Sequence, residues 1–222
     1  MTPSVQAALV NGAESAQAPP RSALHVIKPS SGADLAGAEQ AAAAFLVALG
    51  VDLDTESLAA TPARMARAYA EMFSPRPFDL TTFPNDAGYD ELIIARSIPV
   101  QSVCEHHLLP FVGVAHVGYL PGERILGLSK LARVVELFAR RPQVQERLTQ
   151  QVADWLEEHV APRGVGVVVE AEHLCMTMRG VAASGATTVT SALHGQLRSD
   201  AASRAEFFTL ISANQQEKIH NA

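Results

Sequence analysis

Gly164-Val165-Gly166-Val167-Val168-Val169-Glu170-Ala171-Glu172-His173-Leu174-Cys175-Met176-Thr177-Met178 reads as one long strand, rich in valine. Side chains two apart on a strand share a face. His173 and Cys175 are therefore expected to project together, with Thr177 and Arg179 following while the strand stays regular. Thr187 to Leu197 reads as a further strand, and Ala205 to Ile211 as a closing helix. Upstream, Glu91 to Val100 and the valine-rich Phe111 to Leu120, bounded by Pro110 and Pro121, suit two more strands. Between the strand pairs lie two helices. Ser129 is expected to cap the first, whose apolar positions Leu131, Val134, Val135 and Phe138 share a face. Pro142 is expected to open the second, with Val144, Leu148, Val152 and Leu156 on one stripe. Helices between strand pairs imply an α+β layer, an antiparallel sheet with helices on one face. A sheet this small wants company, so pairing across subunits is expected.

The remainder divides simply. Residues 1–35 are rich in Ala, Pro, Ser, Gly and Gln without a sustained period and read as a disordered tail. Residues 36–90 read as a helical region. An Ala-rich helix runs from Gly37 to Leu49 and stops at Gly50. A second begins at Thr61-Pro62, with Thr61 as the cap, and ends near Phe73, before Ser74-Pro75-Arg76-Pro77. Residues 91–222 carry the strands and the chemistry. A net charge of −6 argues against a broad nucleic-acid surface, yet leaves room for a small anion in a local basic pocket. No run of eighteen apolar residues suggests a membrane span. The first basic residue is Arg21 and no long apolar stretch accompanies it, so a cytoplasmic location is expected.

The 222 residues include only two cysteines, Cys104 and Cys175. A lone disulfide is improbable in a reducing compartment, and histidines surround both. Cys104-Glu105-His106-His107 offers a thiolate and an imidazole three apart. His173-Leu174-Cys175 offers the same pair two apart. Together these give five candidates for four positions on a zinc ion: Cys104, His106, His107, His173 and Cys175. Four ligands would make a structural site, whereas three plus an open position would make a catalytic one. Surplus imidazoles and the nearby Arg179 lean toward catalysis. A structural zinc, or unrelated buried cysteines and histidines, remain the alternatives. The zinc nucleobase deaminases are excluded, because neither H-x-E nor P-C-x-x-C occurs.

Ser102-Val103-Cys104-Glu105-His106-His107-Leu108-Leu109-Pro110-Phe111 resembles the zinc motif of the GTP cyclohydrolase I family. Gly127-Leu128-Ser129-Lys130-Leu131, Arg141-Pro142-Gln143-Val144-Gln145-Glu146-Arg147-Leu148 and Glu172-His173-Leu174-Cys175-Met176 resemble its other motifs, in order and spacing. The likeness spans about Phe45 to Ile211. It implies that Cys104, His107 and Cys175 bind Zn²⁺, that His106 and His173 are catalytic imidazoles, and that Gln145 and Glu146 hold the guanine. It further implies that Ser129, Lys130, Arg133 and Arg179 serve the ribose and triphosphate. Two of these assignments also suit the chemistry on its own terms. A carboxylate such as Glu146 accepts both hydrogens of guanine's N1–H and amino edge, and arginines give bidentate phosphate contacts.

The activity so implied is hydrolytic opening of the guanine ring of GTP at C8, release of formate, and rearrangement to 7,8-dihydroneopterin triphosphate. This is the first step of tetrahydrofolate and pterin synthesis. The implied fold is the tunnelling fold, in which sheets of five subunits join into a barrel and two rings form a homodecamer with sites at subunit interfaces. The chain departs from many relatives at Ala183 or Thr187, where a basic residue is common; its absence would weaken phosphate binding. A non-catalytic assembly that binds guanine nucleotide or pterin is the alternative from another class, and the intact His106 and His173 speak against it.

Overall fold

The computed structural model describes residues 32–212. Seven helices and seven strands are assigned among them. The expected disordered segment lies outside the described residues as far as residue 31, and at its other end Leu35 already belongs to helix α1.

Helices α1 (Leu35–Ala48) and α2 (Thr61–Met72) pair with each other. Asp34 caps α1, its side chain accepting from Gly37 N at 2.9 Å, and Gly50 adopts φ +80° beyond the helix end. The cap expected at Thr61 is displaced by one residue. Ala60 occupies the cap position; its methyl group cannot accept a hydrogen bond, and Pro62 in the first turn removes one N–H that would need a partner.

The main sheet has the order β5-β2-β3-β6-β7, built from β2 (Ile93–Cys104), β3 (Pro110–Leu120), β5 (Pro142–Gln143), β6 (Gly164–His173) and β7 (Thr187–His194). Its long ladders are antiparallel; only the short β5 runs parallel to β2. A separate ribbon pairs β1 (Thr82–Pro84) with β4 (Arg124–Leu126). Helices α3 (Leu128–Ala139) and α4 (Gln145–Val160) cover one face. There Leu131, Val135, Leu148, Val152 and Leu156 pack on Val100, Phe111, Val117, Val167 and Val169. Alternation explains the second cluster. Val168 and Leu120 point to the opposite face and meet Leu197, Phe207 and Ile211 from α6 (Gly195–Ser199) and α7 (Ala201–Ser212). Helices therefore cover one face broadly and one end of the other.

Several sequence expectations need correction. The strand read as Gly164–Met178 ends at His173. Its partner β3 begins its pairing at Phe111, opposite His173, so nothing remains to bond with, and Leu174–Thr177 curls into the short helix α5. Cys175 therefore leaves the strand face it was expected to share with His173. The strand read as Thr187–Leu197 likewise stops at His194. Neither α3 nor α4 starts as expected. Gly127 caps α3 rather than Ser129, and Pro142 forms β5, so α4 begins at Gln145.

The face-crossing of α7 rests on two glycines. A Cβ on Gly118 would meet the Phe207 ring at 3.0 Å, and one on Gly166 would meet it at 2.9 Å. Gly166→Ala is predicted to cost about 1–3 kcal/mol by overpacking, read as a lower melting temperature. Adding Phe207→Leu should recover part of that loss; strictly additive losses would contradict the packing account.

Candidate metal centre and anion groove

The centre forms where two chain reversals meet. The β2–β3 hairpin turns through Glu105–His107, with Leu108 N donating to Cys104 O at 2.8 Å and Cys104 N to Leu109 O at 2.9 Å. Leu108 takes φ +53° to close the turn. The adjacent strand β6 ends at the same level, because Phe111 and His173 are cross-strand partners. Its continuation α5 brings Cys175 back over the turn.

Ligand atoms of Cys104, His107 and Cys175 lie within 4.8 Å of one another. The Cys104 Sγ to His107 Nδ1 distance is 3.9 Å. Two atoms bound to one tetrahedral zinc stand roughly 3.3–3.8 Å apart, so small side-chain adjustments bring this set onto an ion. Burial pushes the Cys175 thiol up, as does its contact with Cys104, and Arg179 opposes the rise. A cation among these groups would reverse that balance, because metal ligation deprotonates a thiol. Of the five residues left open by sequence, three converge. His106 Nδ1 also approaches Cys104 Sγ at 3.9 Å but does not complete a triad with Cys175. His173 stands apart from the triad, stacked on Phe111 with ring centroids 4.6 Å apart.

Glu146 and Gln145, in the first turn of α4, flank His173. Burial holds the His173 imidazole below its ordinary range, and the exposed carboxylate of Glu146 pulls it back up. Gln145, expected at the guanine, is held in the core. It is 1% exposed, and its amide is engaged with β6, β7 and His173 Nε2, the last at 2.7 Å. The buried amide is thus already engaged through both its nitrogen and its oxygen.

Two supports of the centre were not legible in the sequence. Arg147 forms an ion pair with Glu105 in the hairpin turn and donates to Gln143 Oε1 at 2.8 Å. Gln143 is fully buried, and its carbonyl accepts from Glu105 N at 3.0 Å. Arg147 lies four residues after Gln143, which precedes α4 in β5. Tyr69 of α2 donates to Leu108 O at 3.1 Å and ties the helical pair to the same turn.

Ser129 and Arg133 lie elsewhere. With Arg76, Arg140 and Gln101 they line a groove of about 360 Å³ beside β2, which shares no residue with the metal triad. Glu136 sits at its centre and accepts from Arg76 through two contacts of 2.6 Å, with Arg133 and Arg140 each 3.3 Å away. Three guanidinium groups against one carboxylate leave a net charge of +2 in the groove. Lys130 lies 6.0 Å over the Phe78 ring, and Arg179 is close enough to Cys175 to favour its thiolate.

Burial by itself would raise the Glu136 carboxyl, but the hydrogen bonds and charge of Arg76, with Arg140, outweigh it and hold it low. A carboxylate depressed in the folded state stabilises above its unfolded pKa and loses that contribution as pH falls through the folded value. Glu136→Gln is therefore predicted to cost about 1 kcal/mol at pH 7. Melting curves should show the deficit constant down to about pH 4.3 and shrinking below it. A deficit independent of pH would contradict the charge assignment.

The α+β sheet thus carries a soft two-thiol, one-imidazole donor set that could hold a metal ion, with further histidines beside it. The family profile for GTP cyclohydrolase I matches residues 38–212. A GTP cyclohydrolase 1 of Mycobacteroides abscessus is 58% identical over 183 residues, 80% of this chain and 90% of that protein. One of Streptomyces avermitilis is 58% identical over 181 residues, 79% and 90% of the two chains. One of Thermobifida fusca is 55% identical over 186 residues, 82% and 90%. The chain belongs to the GTP cyclohydrolase I family.

Proposed function

We propose that this chain is a zinc-dependent GTP cyclohydrolase I that opens the guanine ring of GTP at C8, releases formate and forms 7,8-dihydroneopterin triphosphate. The observation that carries the reading is the convergence of Cys104, His107 and Cys175 beside two histidines outside the triad, in a chain of this family. Residues 36–90 serve as a helical region and residues 91–222 as the catalytic domain. Among the described residues no helix is long and apolar enough to cross a membrane; a cytoplasmic location is part of the proposal.

Zn²⁺ bound by three protein ligands supplies Lewis acidity and lowers the pKa of water toward neutrality. The chain's own residues do the rest. His173 and His106 move protons near the reacting ring. Glu146, exposed at the start of α4, accepts the N1–H and amino hydrogens of guanine. Arg179 neutralises negative charge near Cys175. Ring opening and formate release are both hydrolyses.

The phosphates require the cations of the groove, which one chain holds apart from its own metal triad. Among the described residues no further strand pairs with β7, or with β2 before Val103. Joining them between copies supports a site shared by two subunits, a barrel of five sheets and a decamer of two rings. On that reading Ser129, Lys130 and Arg133 of one chain face the triad of another.

Purified protein supplied with zinc is expected to release formate from GTP and yield a product fluorescent after oxidation. Chelation should abolish both, and metal-replete protein giving neither would end the proposal. Cys175→Ala and His107→Ala should lose zinc and turnover together. His106→Ala should keep zinc yet lose about 100-fold or more in kcat, whereas zinc loss in that variant would place His106 on the metal.

Shared sites have their own test. Cys104→Ala and Arg133→Ala chains, each inactive alone, should recover roughly a quarter of wild-type activity when unfolded together and reassembled in equal amounts. No recovery in a mixed oligomer would contradict a site built from two chains.

A further inference from the structure

Gln145 is polar, opens a helix, and is nonetheless 1% exposed. Its Nε2 donates to Val169 O at 3.0 Å and to Thr188 O at 2.9 Å, on adjacent strands. It also contacts Thr190 Oγ1 at 3.2 Å. On the other side, its Oε1 lies 2.7 Å from His173 Nε2.

We propose that Gln145 is a positioning residue that fixes His173 as the Nε2–H tautomer and leaves the Nδ1 lone pair as the site of proton exchange.

The assignment follows from hydrogen-bond accounting. Backbone carbonyls only accept, so the Gln145 amide cannot be flipped without setting its oxygen against Val169 O and Thr188 O. The nearby hydroxyls agree. Thr149 Oγ1 donates to Gln145 O at 2.8 Å, so the 2.6 Å contact between the hydroxyls of Thr149 and Thr190 has Thr190 as donor. Thr190 Oγ1 is then free to accept from Gln145 Nε2. The two amide hydrogens are shared among three acceptors, and the Gln145 oxygen is left as an acceptor facing His173. Its partner Nε2 must therefore carry hydrogen. Phe111, stacked on the ring, resists its rotation. A histidine held by one nitrogen in this way presents the other as its working atom. The amide thus links the strands β6 and β7 to the orientation of one imidazole.

The catalytic consequence rests on the GTP cyclohydrolase reading, but the tautomer does not. Magic-angle-spinning spectra of ¹⁵N-histidine-labelled zinc protein, taken where the ring is neutral and assigned by loss of the signal in His173→Ala, should show hydrogen on Nε2. Hydrogen on Nδ1 overturns the proposal whatever the variants do. For catalysis, Gln145→Met should lower kcat about tenfold or more with little change in KM and with one zinc per chain retained. In a His173→Ala background the same substitution should cost nothing further. Additive losses, or an unchanged kcat in Gln145→Met, overturn the positioning role. If wild-type protein releases no formate from GTP, the function reading fails while the spectroscopic test still stands.

Discussion

The site depends on where one ladder stops. β3 and β6 pair from Leu120↔Gly164 to Phe111↔His173 without a break in register. At that last pair β3 has just emerged from its hairpin with β2, so the Cys104–His107 turn and the exit of β6 lie at the same level. Once β6 runs out of partner, its backbone satisfies itself in a helical turn, and that turn carries Cys175 to the thiol and imidazole of the hairpin. A shift of register by one residue would send His173 to the other face of the sheet and break the approach of the two cysteines. The convergence of Cys104, His107 and Cys175 is thus a consequence of pairing geometry rather than of a contiguous loop.

Around this junction the polar groups are tied to the core. Gln143 in β5 and Gln145 at the start of α4, each buried, serve opposite sides of the centre. The first secures the hairpin turn through Glu105 N and Arg147. The second secures His173 through its amide oxygen. Buried amides are costly unless every group is paired. Here they are paired, and the result is one imidazole, His173, with restricted freedom beside a triad that could hold a metal. The groove around Glu136 follows a different logic. It is open and net positive, which suits a small anion.

Much of this was legible in the sequence, and the failures have physical causes. The valine-rich strands and the amphipathic stripes of α3 and α4 were visible, because burial on alternate or helical positions leaves a period. The expected strand parity of His173 and Cys175 failed, since alternation says nothing about where a partner strand ends. Helix starts at Ser129 and Pro142 were misplaced for a related reason: good capping residues do not force a cap when a neighbouring glycine or a short strand takes the position. The guanine role of Gln145 came from the family resemblance, whereas its burial, a tertiary property, was not legible in the residue type. The separation of Ser129 and Arg133 from the triad could not be seen at all, being a property of tertiary distance.

The central claim is that three protein residues hold the metal and leave one position open. X-ray absorption at the zinc edge of the purified protein tests this directly. The account predicts a four-coordinate shell of two sulfurs and two nitrogen or oxygen atoms, with the outer-shell scattering of a single imidazole. Scattering from two imidazoles would place His106 or His173 on the metal, close the site, and contradict it.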